Sequence, residues 1–255
     1  SGVQSFQDAK LRALARVHDS RQAIAAAEEA ALAFDTFNLD LMYALPGQDL
    51  EMLERDLTQA LALMPPHLSV YHLTIEPNTV FAKFPPRVPD DDLAYAMLDR
   101  ITEMTTGAGL ERYEVSAYAK PGHACHHNLN YWQFGDYLGL GAGAHGKLSF
   151  ALRVVRQIRY RSPRLYMDNA LAGQAVAQEE EVGRKQLPFE FMLNALRLRQ
   201  GFSLPSFFER TGLPLSTIQP GLEDGQRKGL LTVDGGWVQP TEQGLDFLRV
   251  LQSLF

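Results

Sequence analysis

What most constrains the fold of this chain is an alternation, over its first 120 residues, between two spacings of apolar side chains. Segments with the 3.6-residue period of a helix alternate with short apolar runs bounded by turn residues, which mark strands. In "DSRQAIAAAEEAALAF", Gln22 follows Asp19 at capping-box spacing and opens an alanine-rich helix. "FNLDLMYALPG" is short, apolar and stopped by Pro46 and Gly47, so a buried strand is predicted there. Leu50, Leu53, Leu57, Leu61 and Met64 recur at helical spacing until Pro65 and Pro66 end the helix. "HLSVYHLTIEP" is strand-like. "PDDDLAYAMLDRITEMTTGAG" begins with acids suited to a helix N-terminus and ends on glycines. "LERYEVSAYA" alternates as a third strand. Strands joined through helices by short connections imply a parallel sheet, in a barrel or an open α/β fold. Three such units cannot close an eightfold barrel. The chain also opens on Ser1 in the middle of the pattern, so residues 1–120 are expected to be the C-terminal part of a (β/α) barrel with chain missing upstream.

Residues 121–180 change character. They hold a histidine-rich loop, a glycine-rich turn, a basic β-ribbon over "KLSFALRVVRQIRYRSP", and a helix running into a polar linker over "RLYMDNALAGQAVAQEEE". From 181 to 255 the pattern is helical with one small hairpin. "PFEFMLNALRL" is amphipathic, "SLPSFFERTG" stops at Gly212, Ser216 and Gln219 have capping-box spacing, and Asp234-Gly235 signals a turn. Helix, helix-turn-helix and a two-stranded wing follow one another in the order of a winged helix. That order raises DNA binding, which charge opposes. The helix that would enter the groove sets Glu223 and Asp224 against Arg227 and Lys228, and the whole chain carries a net charge of -6. A module that displaces counterions from phosphates needs a basic face. No nucleic-acid partner is expected.

No window approaches the roughly 20 unbroken apolar residues of a membrane span, and the first residues show neither a basic nor an apolar leader region. The single cysteine, Cys125, allows no internal disulfide and suits a reducing compartment. The expected setting is the cytoplasm.

Two stretches carry candidate chemistry. "GAGAHG", Gly141 to Gly146, matches a dinucleotide fingerprint by letter, but a β-rich basic segment follows it where a helix and an acid are required. Its glycines imply close backbone packing, against the chain itself or a flat ligand. "HACHHN" offers His123, Cys125, His126 and His127, but one dense cluster lacks the separated pairs of a structural zinc site. In "HHNLNYW", His127 and Tyr131 are four residues apart and share a face in either a helix or a strand. Trp132 follows directly. An imidazole or a phenolate can ligate haem iron, an indole can lie on an aromatic plane, and Asn128 could orient the imidazole or meet a propionate. The same residues would also serve as ordinary buried aromatics.

"SGVQSF", "LARVHD", "NLDLMYALPGQ", "YHLTIEPNT", "YEVSAYAKPG", "HNLNYW" and "GLGAGAHG" occur in this order along the chain. Together they closely resemble the HemW-type haem chaperones, a branch of the radical S-adenosylmethionine family that includes the oxygen-independent coproporphyrinogen III dehydrogenases. The resemblance implies a radical-SAM-type partial barrel followed by a winged-helix-like domain. It implies haem binding through His127, Asn128, Tyr131 and Trp132, with His127 as the expected iron ligand and Tyr131 and Cys125 as lesser candidates for that place. It also implies contacts to S-adenosylmethionine from Gln4, Arg16 and Asp40. The family's [4Fe-4S] cluster needs three closely spaced cysteines, which one cysteine cannot provide, so cluster and S-adenosylmethionine are expected only in a longer protein. The resemblance thus implies a chaperone that hands haem to respiratory proteins, rather than an enzyme. The other outcome is a coproporphyrinogen III dehydrogenase whose cluster half lies upstream. A homodimer is compatible with either.

Overall fold

The structure, a computed structural model, describes residues 1–151 and 153–255. The chain divides into two compact units, Ser1–Cys125 and His126–Phe255.

In the first unit the order is α1 (Asp8–Ala13), α2 (Ser20–Ala33), β1 (Asn38–Tyr43), α3 (Leu50–Ala62), β2 (His67–His72), α4 (Val80–Lys83), α5 (Asp91–Gly107), β3 (Glu111–Glu114) and β4 (Ala117–Ala119). The Asp19 capping box forms: its carboxylate accepts from the Gln22 amide while the Gln22 side chain accepts from the Asp19 amide. Asp49 and Asp90 cap α3 and α5 through the carboxylate alone, which accepts from the Met52 and Leu93 amides. β1 and β2 run parallel across α3, with Asn38 opposite His67 and Asp40 opposite Ser69. The segment around Gln4 adds a parallel bridge to Leu41 on the other side.

The third expected strand is corrected. "LERYEVSAYA" folds back on itself into β3 and β4, and β4 pairs antiparallel with β2, giving the order β1-β2-β4-β3. The reversal lies at Val115 and Ser116, where the Arg112 guanidinium donates to the carbonyls of Glu114 and Val115 and so satisfies groups that an unbroken strand would pair elsewhere.

Alternation along β1 sorts its side chains. Leu39, Leu41 and Tyr43 are buried, in one cluster with Leu53, Leu57, Met97 and Ile101 from α3 and α5. Each fully buried aliphatic side chain contributes about 1.5–3 kcal/mol. Asn38, Asp40 and Met42 point to the opposite face. That face carries the polar groups.

The second unit runs α6 (His126–Trp132), β5 (His145–Phe150), β6 (Arg153–Arg159), α7 (Pro163–Leu171), β7 (Val176–Glu181), α8 (Leu187–Ala195), β8 (Phe202–Ser203), α9 (Leu204–Thr211), a 3-10 turn (Leu215–Thr217), α10 (Gln219–Arg227), β9 (Leu231–Asp234), β10 (Trp237–Pro240), α11 (Glu242–Asp246) and α12 (Leu248–Gln252). Residues expected as a polar linker form β7 instead. Backbone pairing with β6 makes it a strand, with Glu180 opposite Arg156 and Glu179 opposite Gln157, whose side-chain amide donates to the Glu179 carboxylate at 2.8 Å, while the Arg156 guanidinium pairs with Glu190 on α8. The Ser216 capping box does not form either. Ser216 lies inside the 3-10 turn, and α10 starts after Ile218 with Pro220 in its first turn and no side-chain cap. The hairpin holds, with Gly235 and Gly236 at positive φ between Asp234 and Trp237. β8 makes it a three-stranded sheet, β8-β10-β9. Phe134, Phe191, Phe202, Phe207 and Leu251 belong to the core of this unit.

Candidate functional site

The motif "HHNLNYW" is helical from end to end, as α6. Helical geometry turns its four candidate residues into two pairs four apart: His127 with Tyr131, and Asn128 with Trp132, on stripes roughly 100° from each other. His127 is exposed, and Asn128, Tyr131 and Trp132 are half-buried. The His127 and Tyr131 rings meet edge to face at 4.8 Å and 75°. Tyr131 in turn packs on Tyr137 at 4.5 Å. Partial burial, and then the neighbouring Tyr137, raise the Tyr131 phenol above its ordinary value, so it stays protonated at neutral pH. Tyr131 is therefore the poorer iron donor of the pair, because haem takes tyrosine as phenolate.

Trp132 faces elsewhere. Five positions separate it from His127, a rotation of roughly 140°, so imidazole and indole lie on different faces of the helix. The Arg197 guanidinium lies 4.2 Å from the centre of the indole ring and covers one of its faces. The indole N–H is buried without an acceptor. Cys125, a lesser candidate, precedes the helix and ends the first unit half-buried.

α6 ends without the glycine that usually closes a helix. Gly135 N–H bonds to the Asn130 carbonyl at 2.7 Å and Phe134 N–H to the Tyr131 carbonyl at 3.0 Å, the two bonds of a Schellman end. Phe134 takes the left-handed turn position with φ 55°. A bulky residue is strained there, and its surroundings hold it. Phe134 is 1% exposed against Phe191, and the Lys147 ammonium lies 4.0 Å over its ring. The ammonium donates to the Phe134 carbonyl, Asp136 Oδ1 and Ser149 Oγ at 2.9, 3.1 and 3.1 Å. Burial works against the Asp136 charge, but bonds from Ser149 and Lys147 hold its carboxyl below the usual range. Lys147, absent from the sequence-level candidates, thus fixes the end of the motif helix. No local signal distinguishes it from an ordinary strand lysine.

The glycine-rich turn has a structural role. A Cβ on Gly139 would stand 2.5 Å from the His145 carbonyl oxygen and one on Gly146 3.1 Å from the Gly139 amide nitrogen, so two backbone segments touch there, whereas a Cβ on Gly141 would meet open space.

In the first unit, Gln4 and Asp40 lie on neighbouring backbone segments, with Gln4 N–H donating to the Asp40 carbonyl at 2.7 Å. Gln4 is 8% exposed and holds φ 68°. Arg16 is exposed, in a segment tied back through the His18 ring to the Val3 carbonyl at 3.1 Å. No contact joins it to Asp40. Beside Asp40, Asn38 Nδ2 donates to Asp40 Oδ1 at 2.7 Å. Asn38 Oδ1 lies 2.7 Å from His67 Nδ1 and 3.1 Å from Ser69 Oγ. His67 Nε2 is 2.8 Å from the Tyr113 hydroxyl, which accepts from the Cys125 amide at 3.3 Å. Burial pushes the His67 imidazole down to about 4, and the Asp40 charge opposes this only in part. Sequence reasoning missed Asn38, His67 and Tyr113. Their only trace is polar residues inside predicted strands.

Among the described residues no three His, Cys, Asp or Glu side chains gather to hold a metal. None of the described helices is long and apolar enough to cross a membrane.

A family model described as the HemN C-terminal domain matches residues 182–247. The whole chain aligns with the "Heme chaperone HemW" of Escherichia coli K12 at 45% identity and with that of Haemophilus influenzae at 42%, covering 67% and 66% of those proteins. The Bacillus subtilis protein of the same name is 34% identical over 95% of this chain. The chain spans about two thirds of the length of these curated relatives. A solved structure titled "Coproporphyrinogen III oxidase (HemN) from Escherichia coli is a Radical SAM enzyme" superposes with TM-score 0.78 at 19% identity, over 99% of this chain and 62% of that one, which establishes a shared mixed α/β fold.

Proposed function

The chain belongs to the HemW haem-chaperone family, and from that premise we propose that it binds haem through the His127 imidazole on α6 and passes it to acceptor proteins. The observation that carries this reading is one short helix presenting an exposed imidazole, braced edge-on by a protonated phenol, with a buried indole N–H lacking an acceptor on the adjacent stripe. Haem is cargo here. An imidazole nitrogen would take the iron. Tyr131 limits rotation of the His127 ring. Asn128 and Trp132 share the second stripe, where the amide would meet carboxylates such as the propionates. Trp132 keeps its place under Arg197.

Hemin titration followed at the Soret band tests the assignment. His127→Ala is expected to remove the bound spectrum or weaken binding at least roughly tenfold, whereas Tyr131→Phe, which keeps the edge contact, retains it. A wild-type spectrum and affinity in His127→Ala would remove His127 from the site.

Gln4, Arg16 and Asp40 form the proposed contacts to S-adenosylmethionine, whose amino-acid end and ribose diol ask for such groups. The strand pairing of Gln4 with Leu41 and the Gln4–Asp40 backbone bond support the first and last as neighbours. The cluster does not fit these residues. Cys125 is the one cysteine in the sequence and cannot supply three thiolates, so no reductive cleavage is assigned to this chain. The first unit is read as part of a radical-SAM-type (β/α) barrel and residues 181–255 as a winged-helix-like domain. In the latter, Asp224 pairs with both Arg227 and Lys228, which leaves α10 without a basic face for DNA. Respiratory haem proteins as acceptors, a cytoplasmic setting and a homodimer complete the reading. A coproporphyrinogen III dehydrogenase would instead turn over coproporphyrinogen in an activity assay. Haem binding without turnover separates the two.

A further inference from the structure

One charge sets every proton in the network behind Asp40. An ionised carboxylate only accepts hydrogen bonds, so Asn38 must turn its nitrogen toward Asp40 Oδ1 at 2.7 Å. Asn38 Oδ1 is then an acceptor, for the Ser69 hydroxyl at 3.1 Å and for His67 Nδ1 at 2.7 Å. His67 therefore carries its proton on Nδ1. Its Nε2 has a lone pair and accepts from the Tyr113 hydroxyl at 2.8 Å, and Tyr113 Oη accepts the Cys125 backbone N–H at 3.3 Å. Reversing the Asn38 amide would set its oxygen against the carboxylate and its nitrogen against two further donors.

We infer that Asn38 and His67 are positioning residues for Asp40: Asn38 occupies Oδ1 and fixes the plane of the carboxylate, His67 holds the Asn38 amide in place, and Oδ2, which lies 4.0 Å from the Ser1 terminal amine, is turned toward hydroxyl or ammonium donors of a nucleoside-plus-amino-acid ligand. This rests on the S-adenosylmethionine reading of Asp40. Polar groups on three strands reach that carboxylate through one amide: Asn38 on β1 bonds to it directly, His67 and Ser69 on β2 bond to Asn38, and Tyr113 on β3 bonds to His67. His67 and Ser69 are 3% and 2% exposed. Each buried polar group in the chain is satisfied only while its neighbour points the right way, so losing one member frees the carboxylate to turn.

Two measurements test the inference. Nitrogen-edited NMR of the imidazoles reads the tautomer, and His67 is expected as the Nδ1–H form. In Asp40→Asn, whose amide can donate as well as accept, the constraint is lifted and the Nε2–H form appears. Titration with S-adenosylhomocysteine, at temperatures where circular dichroism shows each variant folded, reads the consequence. Asp40→Asn should abolish binding, and Asn38→Ala and His67→Leu should weaken it roughly tenfold to hundredfold, as expected for losing a hydrogen bond to a charged group. His67→Asn keeps an N–H toward Asn38 and should recover most of the affinity. A wild type that binds no S-adenosylhomocysteine overturns the S-adenosylmethionine reading and the inference with it. Binding that is lost in Asp40→Asn but intact in Asn38→Ala and His67→Leu overturns the inference alone, as does an Nε2–H tautomer in the folded wild type.

Discussion

The His67 ring is 3% exposed and kept neutral by its burial, titrating at about 4 instead of 6.5. Because the unfolded chain protonates this histidine first as pH falls, the folded state keeps its full advantage above pH 6.5 and loses it between 6.5 and about 4. At 1.36 kcal/mol for each pH unit of separation, the loss amounts to about 3 kcal/mol. Urea denaturation from pH 7.5 to 4 should show this fall in the wild type. In His67→Asn, which has no imidazole to titrate, the curve should be flatter by that amount, and parallel curves would refute the account. At this scale the sequence was partly readable. It offered Asp40 as an acid inside an apolar strand and His127 with Tyr131 as a pair on one face. It could not offer His67, whose partners lie 29 and 46 residues away.

Elements follow their local signals where those signals act through neighbours in the chain. The Asp19–Gln22 box forms, and Gly212 ends α9 with φ 66°. Signals fail where a distant partner competes. Glu179 and Glu180 read as linker until Gln157 and Arg156 pair with them, and Met64, expected on the apolar stripe of α3, lies past its end and is 74% exposed. Gly201 shows a requirement that is local and distant at once. It holds φ 72° ahead of β8, and a Cβ there would stand 1.8 Å from the Val238 carbonyl oxygen on β10. Gly201→Ala should therefore cost both left-handed strain and a clash, about 2–5 kcal/mol together. Denaturant midpoints measure it, and a cost below about 0.5 kcal/mol would mean that β8 and β10 separate freely.

Among the described residues two hydrophobic clusters have no residue in common, one within residues 3–118 and the other within 134–251. Units with separate cores unfold as separate cooperative events when little couples them. Calorimetry is expected to resolve two transitions, with Phe191→Ala lowering one of them by about 3–5 kcal/mol of stability. α6 belongs to the unit that contains Phe191, so hemin should raise the transition that Phe191→Ala lowers, since a ligand stabilises the state that binds it. Hemin acting on the other transition alone would place its site outside the second unit.

The helices of the first unit, the Asp19 cap and the motif residues themselves were determined by the sequence alone, because each depends on side chains within a turn or two of one another. Tertiary structure decided the rest. It turned the third strand back against β2, set Arg197 over Trp132, and gathered Asn38, His67 and Tyr113 behind Asp40. Those outcomes depend on which distant groups share a desolvated space, and no local period encodes that.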